Sequence, residues 1–197
     1  MSNVKQSRIN KTIYFYEDRQ GFMNTLVKNI NSLKVKAKNR GLIPLIRLNG
    51  TSDIKWENIE FIENGIKYNN IFDRFPELQF YDYSKMYSRS NHSLKNYHVT
   101  LSAGKNTTTP AISRMLHSGN NVAVVFRAKN SNNHIFIMGK KWPLVNGDDT
   151  DLRFLDPVGV VVALTAKGKA RKDYSGFVRE VPFMTENYGG LGLEVAV

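Results

Sequence analysis

Between residues 17 and 40 the apolar positions Phe22, Met23, Leu26, Val27, Ile30 and Leu33 recur at intervals of three and four. That spacing predicts an amphipathic helix over about Glu17 to Arg40. Lys28, Lys34, Lys36, Lys38 and Arg40 form its outer, solvated face, and Gly41 is placed to end it in the left-handed conformation. The basic start before it, Lys5 to Lys11, is assigned no element. After Gly41 the pattern shortens. Leu42 to Leu48 reads as a strand with Pro44 near its start, where a missing amide donor is tolerated. Asn58 to Asn70 reads as a hairpin or an excursion around Asn64-Gly65, and Ile71 to Phe75 as a short helix before Pro76.

Strands follow at Gln79 to Tyr83 and Tyr97 to Leu101. Thr108-Thr109-Pro110 opens a helix whose apolar face is Ala111, Ile112, Met115 and Leu116, up to Gly119. Val122 to Phe126 is apolar throughout, as a strand covered on both faces would be. In the carboxyl third, His134 to Met138, Trp142 to Val145, Leu152 to Leu155 and Gly159 to Leu164 are short candidate strands between Gly, Asp and Asn turns, some of them hairpins. The alternation of strand, helix and strand predicts an α/β protein, either a partial TIM-like barrel or an open, mostly parallel sheet with flanking helices and a hairpin-rich carboxyl third. One domain is expected over residues 1–181, with 182–197 as an irregular extension. Gly189-Gly190-Leu191-Gly192 in that extension does not follow a strand and open a helix, so it is not a phosphate-binding fingerprint.

Composition adds two constraints. The 197 residues are 41% hydrophobic and 23% charged, ordinary for a folded domain. Twenty-eight Lys and Arg against 17 Asp and Glu leave a formal charge of +11, a field that attracts polyanions. There is no cysteine, which excludes disulfides, thiolate metal sites and a Cys nucleophile. The four histidines lack metal-ligand spacing. No apolar run approaches a membrane span and no apolar signal segment opens the chain, so a soluble protein of the cytoplasm is expected, with neither membrane, metal nor cofactor.

Three predicted strands each end in polar side chains, the place where parallel α/β proteins build ligand sites. At the end of the first lie Arg47, Asn49, Ser52 and Asp53; after the second, Ser84, Lys85 and Arg89; after the third, Ser102 and Gly104. Arg47 offers a donor fork for phosphate, Asn49 donates and accepts, and Asp53 accepts from a ribose hydroxyl or orients the arginine. The bland alternative makes Asp53 a turn cap and pairs Asp82 with Arg47 or Lys85. Tyr81, Tyr83 and Tyr87, interleaved with Lys85 and Arg89, suit base stacking or plain packing. The densest charge is Lys167-Gly168-Lys169-Ala170-Arg171-Lys172, either a phosphate-backbone contact or a solvated loop, with Arg114, Arg127 and Lys129 as extensions. No nucleophile elbow or P-loop is present, so no catalytic residue is assigned and an enzyme is the lesser expectation.

The segments RLNGTSDIKWEN, FPELQFYDYSK, NYHVTLS, NVAVVF, DLRFLDP and LTAKGKARKDYSGFV, in this order, resemble an uncharacterised family of phage and prophage proteins over about residues 7–178. The resemblance implies a radical-SAM-like partial barrel whose longer members carry a cysteine-rich segment ahead of the part similar to Ser7–Thr12. This chain starts after that segment and has no Cys, which implies binding retained without cluster chemistry. The reading is a phage-encoded nucleic-acid-binding protein, RNA in preference to DNA, acting in the cytoplasm of the host bacterium. Phage context adds inhibition of a host defence ribonucleoprotein such as a CRISPR complex.

The expected contacts are Arg47, Asn49, Tyr83, Lys85, Tyr87, Arg89, Arg127, Lys167, Lys169, Arg171 and Lys172. Two alternatives stand beside this reading. One is an enzyme acting on a nucleotide-like or phosphorylated small molecule through Asp53, Asp82 and Lys85. The other is a protein-interaction module for a nucleic-acid-binding groove.

Overall fold

The computed structural model describes residues 3–89, 94–129 and 132–180. They form two compact units, one within residues 3–46 and 54–80, the other within 47–53 and 81–180. Residues 182–197, expected as an extension, lie outside the described residues.

The first unit is led by α1 (Asn3–Glu17) and α2 (Arg19–Asn39). The helix expected from Glu17 is interrupted at Asp18, whose carboxylate accepts from the Gly21 amide at 2.8 Å and caps α2. α1 occupies the basic start that was assigned no element. It shows no apolar stripe because it buries one side chain, Phe15, edge-on against Phe22 and Trp56. Gly41 has φ +63°, and its amide and that of Leu42 return to Lys38 and Ala37 in a Schellman closure. Lys34 on the outer face pairs with Glu77.

The hairpin is β2 (Phe61–Glu63) and β3 (Ile66–Tyr68), with Asn64 and Gly65 both at positive φ in its turn. α3 (Ile71–Arg74) follows, capped by Asn70. The strand expected over 42–48 shrinks to β1 (Leu45–Ile46), parallel to Gln79 and Phe80 of β4 (Gln79–Ser84). The residues after Ile46 leave the ladder because Asn49 and Arg47 bond to side chains instead.

In the second unit the sheet runs from the later half of β4 through β5 (Tyr97–Ser102), β6 (Val122–Phe126), β9 (Val161–Thr165) and β8 (Lys140–Asn146) to β7 (His134–Ile137). β10 (Val178–Arg179) pairs with the last two residues of β6, beyond the point where β5 leaves it. The β5–β6, β6–β9, β8–β9 and β6–β10 pairs are parallel, while β7 and β8 form an antiparallel hairpin. The sheet is open. The protein is therefore a mixed α/β fold with a mostly parallel sheet and flanking helices.

α4 (Thr109–His117) is capped by Thr108 and packs Ile112 and Leu116 against Val122, Val124, Phe126 and Trp142 on one face of that sheet. Burial of both faces of β6 accounts for its continuous apolar sequence. The strand expected at Leu152–Leu155 is instead a 3-10 turn, Arg153–Leu155, because the Leu155 amide returns to Leu152 and Arg153 is buried beside Asp156.

Parallel pairing brings the carboxyl ends of β5, β6, β8 and β9 to a single edge of the sheet. Gly147 sets the path of the loop after β8. Its amide donates to the Ala163 carbonyl at 2.7 Å, and a Cβ there would lie 2.6 Å from Val162 Cγ1. Only glycine allows so close an approach, and the loop it starts carries Asp148, Asp149 and Asp151.

Candidate functional site

Two polar clusters and one basic edge occupy the second unit. The first cluster is a buried knot under the segment from Arg47 to Asp53. Asp82 on β4 is fully buried and accepts from the Asn49 amide at 2.7 Å, Asn49 Nδ2 at 3.2 Å and the Tyr97 hydroxyl at 3.0 Å. Burial raises its carboxyl to about 6; the hydrogen bonds from Asn49 and Tyr97 and the charge of Arg89 pull the other way without overcoming it.

Asp53 accepts from Ser84 Oγ, the Lys85 amide and Arg89 Nη1, each at 2.8 Å. Arg89 is 2% exposed and also donates to Tyr97. Arg89 was expected to meet phosphate. The structure corrects this: a guanidinium held between Asp53 and Tyr97 ties the 3-10 turn Tyr87–Arg89 to β5 and faces no solvent. The bland pairings fail as well. Asp82 bonds neither Arg47 nor Lys85, and Asp53 joins its own segment to the end of β4 and to the turn that carries Arg89.

The second cluster surrounds Asp151. Its carboxylate accepts from Arg47 Nη1 at 3.0 Å, Tyr83 OH at 3.2 Å and Tyr81 OH at 3.3 Å. Arg47 lies 4.8 Å from the Tyr83 ring centroid, in cation–π contact. Burial, and then the charge of Asp151, push both phenols above their ordinary range, so both remain hydrogen-bond donors at neutral pH. The side chains of Arg47 and Asp151 are 34% and 50% exposed, unlike the buried Asp82 and Arg89.

The basic edge follows β9 and β6. Lys167–Lys172 turns as a 3-10 helix from Gly168 to Lys172, with Gly168 at φ +54° and Lys169, Arg171 and Lys172 exposed. Lys167 is paired with Asp148 at 2.9 Å. Burial alone would raise the Asp148 carboxyl, but hydrogen bonds from Lys167 and Thr165 outweigh it and hold the group below its ordinary value. Arg127 joins this edge as a brace. It donates to the carbonyls of Arg171 and Asp173 at 2.8 and 2.9 Å, pairs with Glu180 and lies 4.3 Å over the ring of Tyr174. Tyr174 is 82% exposed. Lys85 places its ammonium 5.7 Å from the Phe177 ring, and Tyr87, 45% exposed, bonds Ser118 through its hydroxyl.

The structure thus gathers Asn49, Asp53, Asp82 and Arg89 in one knot, Arg47 and Tyr83 in a second cluster, and Arg127, Lys167, Lys169, Arg171 and Lys172 along one edge. Sequence reasoning missed Asp151, Arg153, Tyr97 and Tyr174. Asp151 and Tyr174 were each one or a few residues from features already noted, but their partners lie far along the chain. Among the described residues no group of three or more His, Cys, Asp or Glu side chains is placed to hold a metal ion. No helix of the described residues is long and apolar enough to cross a membrane. A groove of about 730 Å³ lies in the first unit between α2 and the β2–β3 hairpin, lined by Asn24, Lys28, Asn31 and Lys36 among others.

An open α/β sheet with polar clusters and a cationic loop at its strand ends defines the class of the second unit. The chain belongs to the gene product 88 family, whose model matches residues 1–180. No curated protein and no solved structure matches it.

Proposed function

We propose that the protein binds single-stranded nucleic acid, RNA in preference to DNA, along the edge formed by Lys167–Lys172, Arg127 and Tyr174. The observation that carries the reading is the pairing of exposed cations with an exposed aromatic ring. Lys169, Arg171 and Lys172 project from a 3-10 turn, while Tyr174, two residues further on, offers a ring face that Arg127 already stacks upon. Cations that follow a backbone and rings that stack on unpaired bases are the two ingredients of single-strand binding. Lys85 and Tyr87 extend the same chemistry from the segment after β4. Asp53 and Asp82, the carboxylates available to an enzyme, have their oxygens committed to internal donors, which favours binding over catalysis. A phage protein of this kind acts in the host cytoplasm, and a host defence ribonucleoprotein is the target that phage context suggests.

Fluorescence anisotropy with labelled ten-nucleotide oligouridine and oligothymidine tests this. Binding is expected to weaken steeply with salt, with a slope of roughly −0.7 for each phosphate neutralised. Lys169→Glu with Arg171→Glu is expected to reduce affinity by about tenfold or more, since each reversal replaces an attraction by a repulsion. Absence of binding to either oligonucleotide at low salt would overturn the proposal.

A further inference from the structure

The Asp151 cluster has the composition of an anion site in which the anion is supplied by the chain itself. Tyr81 and Tyr83 stand two residues apart on β4, so they share one face of the strand, and both phenols reach the same carboxylate as Arg47. The donors are fixed by a strand and by the segment before the buried knot. The acceptor comes from the loop after β8 and is half exposed, so solvent reaches it. One guanidinium and two hydroxyls converging on a single point is donor chemistry that suits a phosphate at least as well as a carboxylate, because phosphate presents more oxygens and up to twice the charge. The raised phenol values keep the hydroxyls as donors beside either anion.

A buried cation adds to the field. Arg153 is 1% exposed, gives Nη2 to the Thr150 carbonyl at 2.7 Å and has Nη1 3.1 Å from Asp156, and its Nε has no hydrogen-bond partner. Its positive charge acts on Tyr83. The same acidic loop also places Asp148 on Lys167, so a second cation of the strand-end edge is covered by a carboxylate from the same five residues.

We propose that Arg47, Tyr81 and Tyr83 form a binding site for a phosphate group, and that Asp151 fills this site in the structure described. The incoming phosphate displaces Asp151 and takes over its three donors. This goes beyond nucleic-acid binding at the basic edge and does not require it. The phosphate belongs either to a nucleic-acid chain, at its 5′ end or within it, or to a small molecule.

Calorimetric titration of the full chain with inorganic phosphate tests the site. Asp151→Asn removes the internal competitor's charge and is expected to bind inorganic phosphate about tenfold more tightly than the wild type, whose own carboxylate must first be displaced. Asp149→Asn makes the same charge change in the same loop and is expected to leave affinity at the wild-type level. Adding Arg47→Met or Tyr83→Phe to Asp151→Asn is expected to remove the gain. If Asp151→Asn folds poorly, Asp151→Ser gives the same reading.

Equal affinities for the Asp151 and Asp149 variants, or a gain that survives Arg47→Met, would overturn the site. Oligouridine then identifies the source. Tighter binding of a 5′-phosphorylated than a 5′-hydroxyl chain assigns the site to a strand end. Equal binding of both, in competition with inorganic phosphate, assigns it to an internal diester. Competition by inorganic phosphate with neither chain assigns it to a small molecule. Because these titrations use residues other than Lys169 and Arg171, failure here leaves the basic edge to stand or fall by its own test.

Discussion

Asp82 and Asp151 each accept from a tyrosine hydroxyl and each answers an arginine, one through a relay and one directly, yet they occupy opposite environments. Asp82 is fully buried, with backbone and side-chain donors of Asn49 and the Tyr97 hydroxyl around it. Asp151 is half exposed and reaches its donors from a loop. A buried, saturated carboxylate is structural, because removing it strands donors that have no water to turn to. A half-exposed carboxylate is exchangeable, because water or another anion replaces it at little cost. The same residue types therefore make a fastener in one place and a displaceable plug in the other.

The largest effect that would sharpen this contrast comes from truncating the buried member. Asp82→Ala is expected to cost about 3 kcal/mol or more, since it removes from the interior the acceptor that the Asn49 amide, Asn49 Nδ2 and the Tyr97 hydroxyl share. Urea denaturation measures it. A loss below about 1 kcal/mol would place Asp82 with the exchangeable group.

Asp82 also predicts a pH dependence. Its folded value, about 6, lies above the ordinary 3.8, so the folded protein holds this proton more tightly than the unfolded chain does. Stability from this group is fully present below about pH 4, declines as pH rises towards 6 and is level above that, a change of about 2–3 kcal/mol. Comparing denaturation of the wild type and Asp82→Asn across that range isolates it. The difference between the two is expected to slope between pH 4 and 6. A parallel pair of curves would show that the Asn49 and Tyr97 donors hold Asp82 ionised throughout.

Gly147→Ala tests the loop that delivers Asp151. The added methyl meets Val162 and Leu164 side chains and the Ala163 carbonyl, and is expected to cost about 1–3 kcal/mol while loosening both Asp148–Lys167 and Asp151–Arg47. Tighter phosphate binding by this variant, despite its lower stability, would show that the path of this loop holds Asp151 on Arg47, Tyr81 and Tyr83.

The smallest effect is expected at Asp151 itself. Asp151→Asn should change unfolding free energy by less than about 1 kcal/mol, as for other exposed ion pairs. A loss approaching that of Asp82→Ala would make Asp151 a fastener too.

Much of the fold was legible in local signals. The apolar run of β6, the Thr108 cap and Pro110 of α4, the Asn64-Gly65 turn and the closure at Gly41 are each written within a few residues, and each appears where expected. α1 was not legible because it buries a single residue and so shows no stripe. The strand expected through Leu48 ended early because Asn49 turns its amide to Asp82, a partner 33 residues away.

The sequence by itself determined the class of fold, the positions of most strands and helices and the excess of positive charge, since these depend on neighbours in the chain and on composition. Only the tertiary structure decided that Arg89 is a buried brace, that Arg47 answers Asp151 across 104 residues and that Tyr174 stands exposed beside Arg127. Burial and pairing of a charge depend on which strands lie side by side, and strand order is set by the packing of the whole sheet.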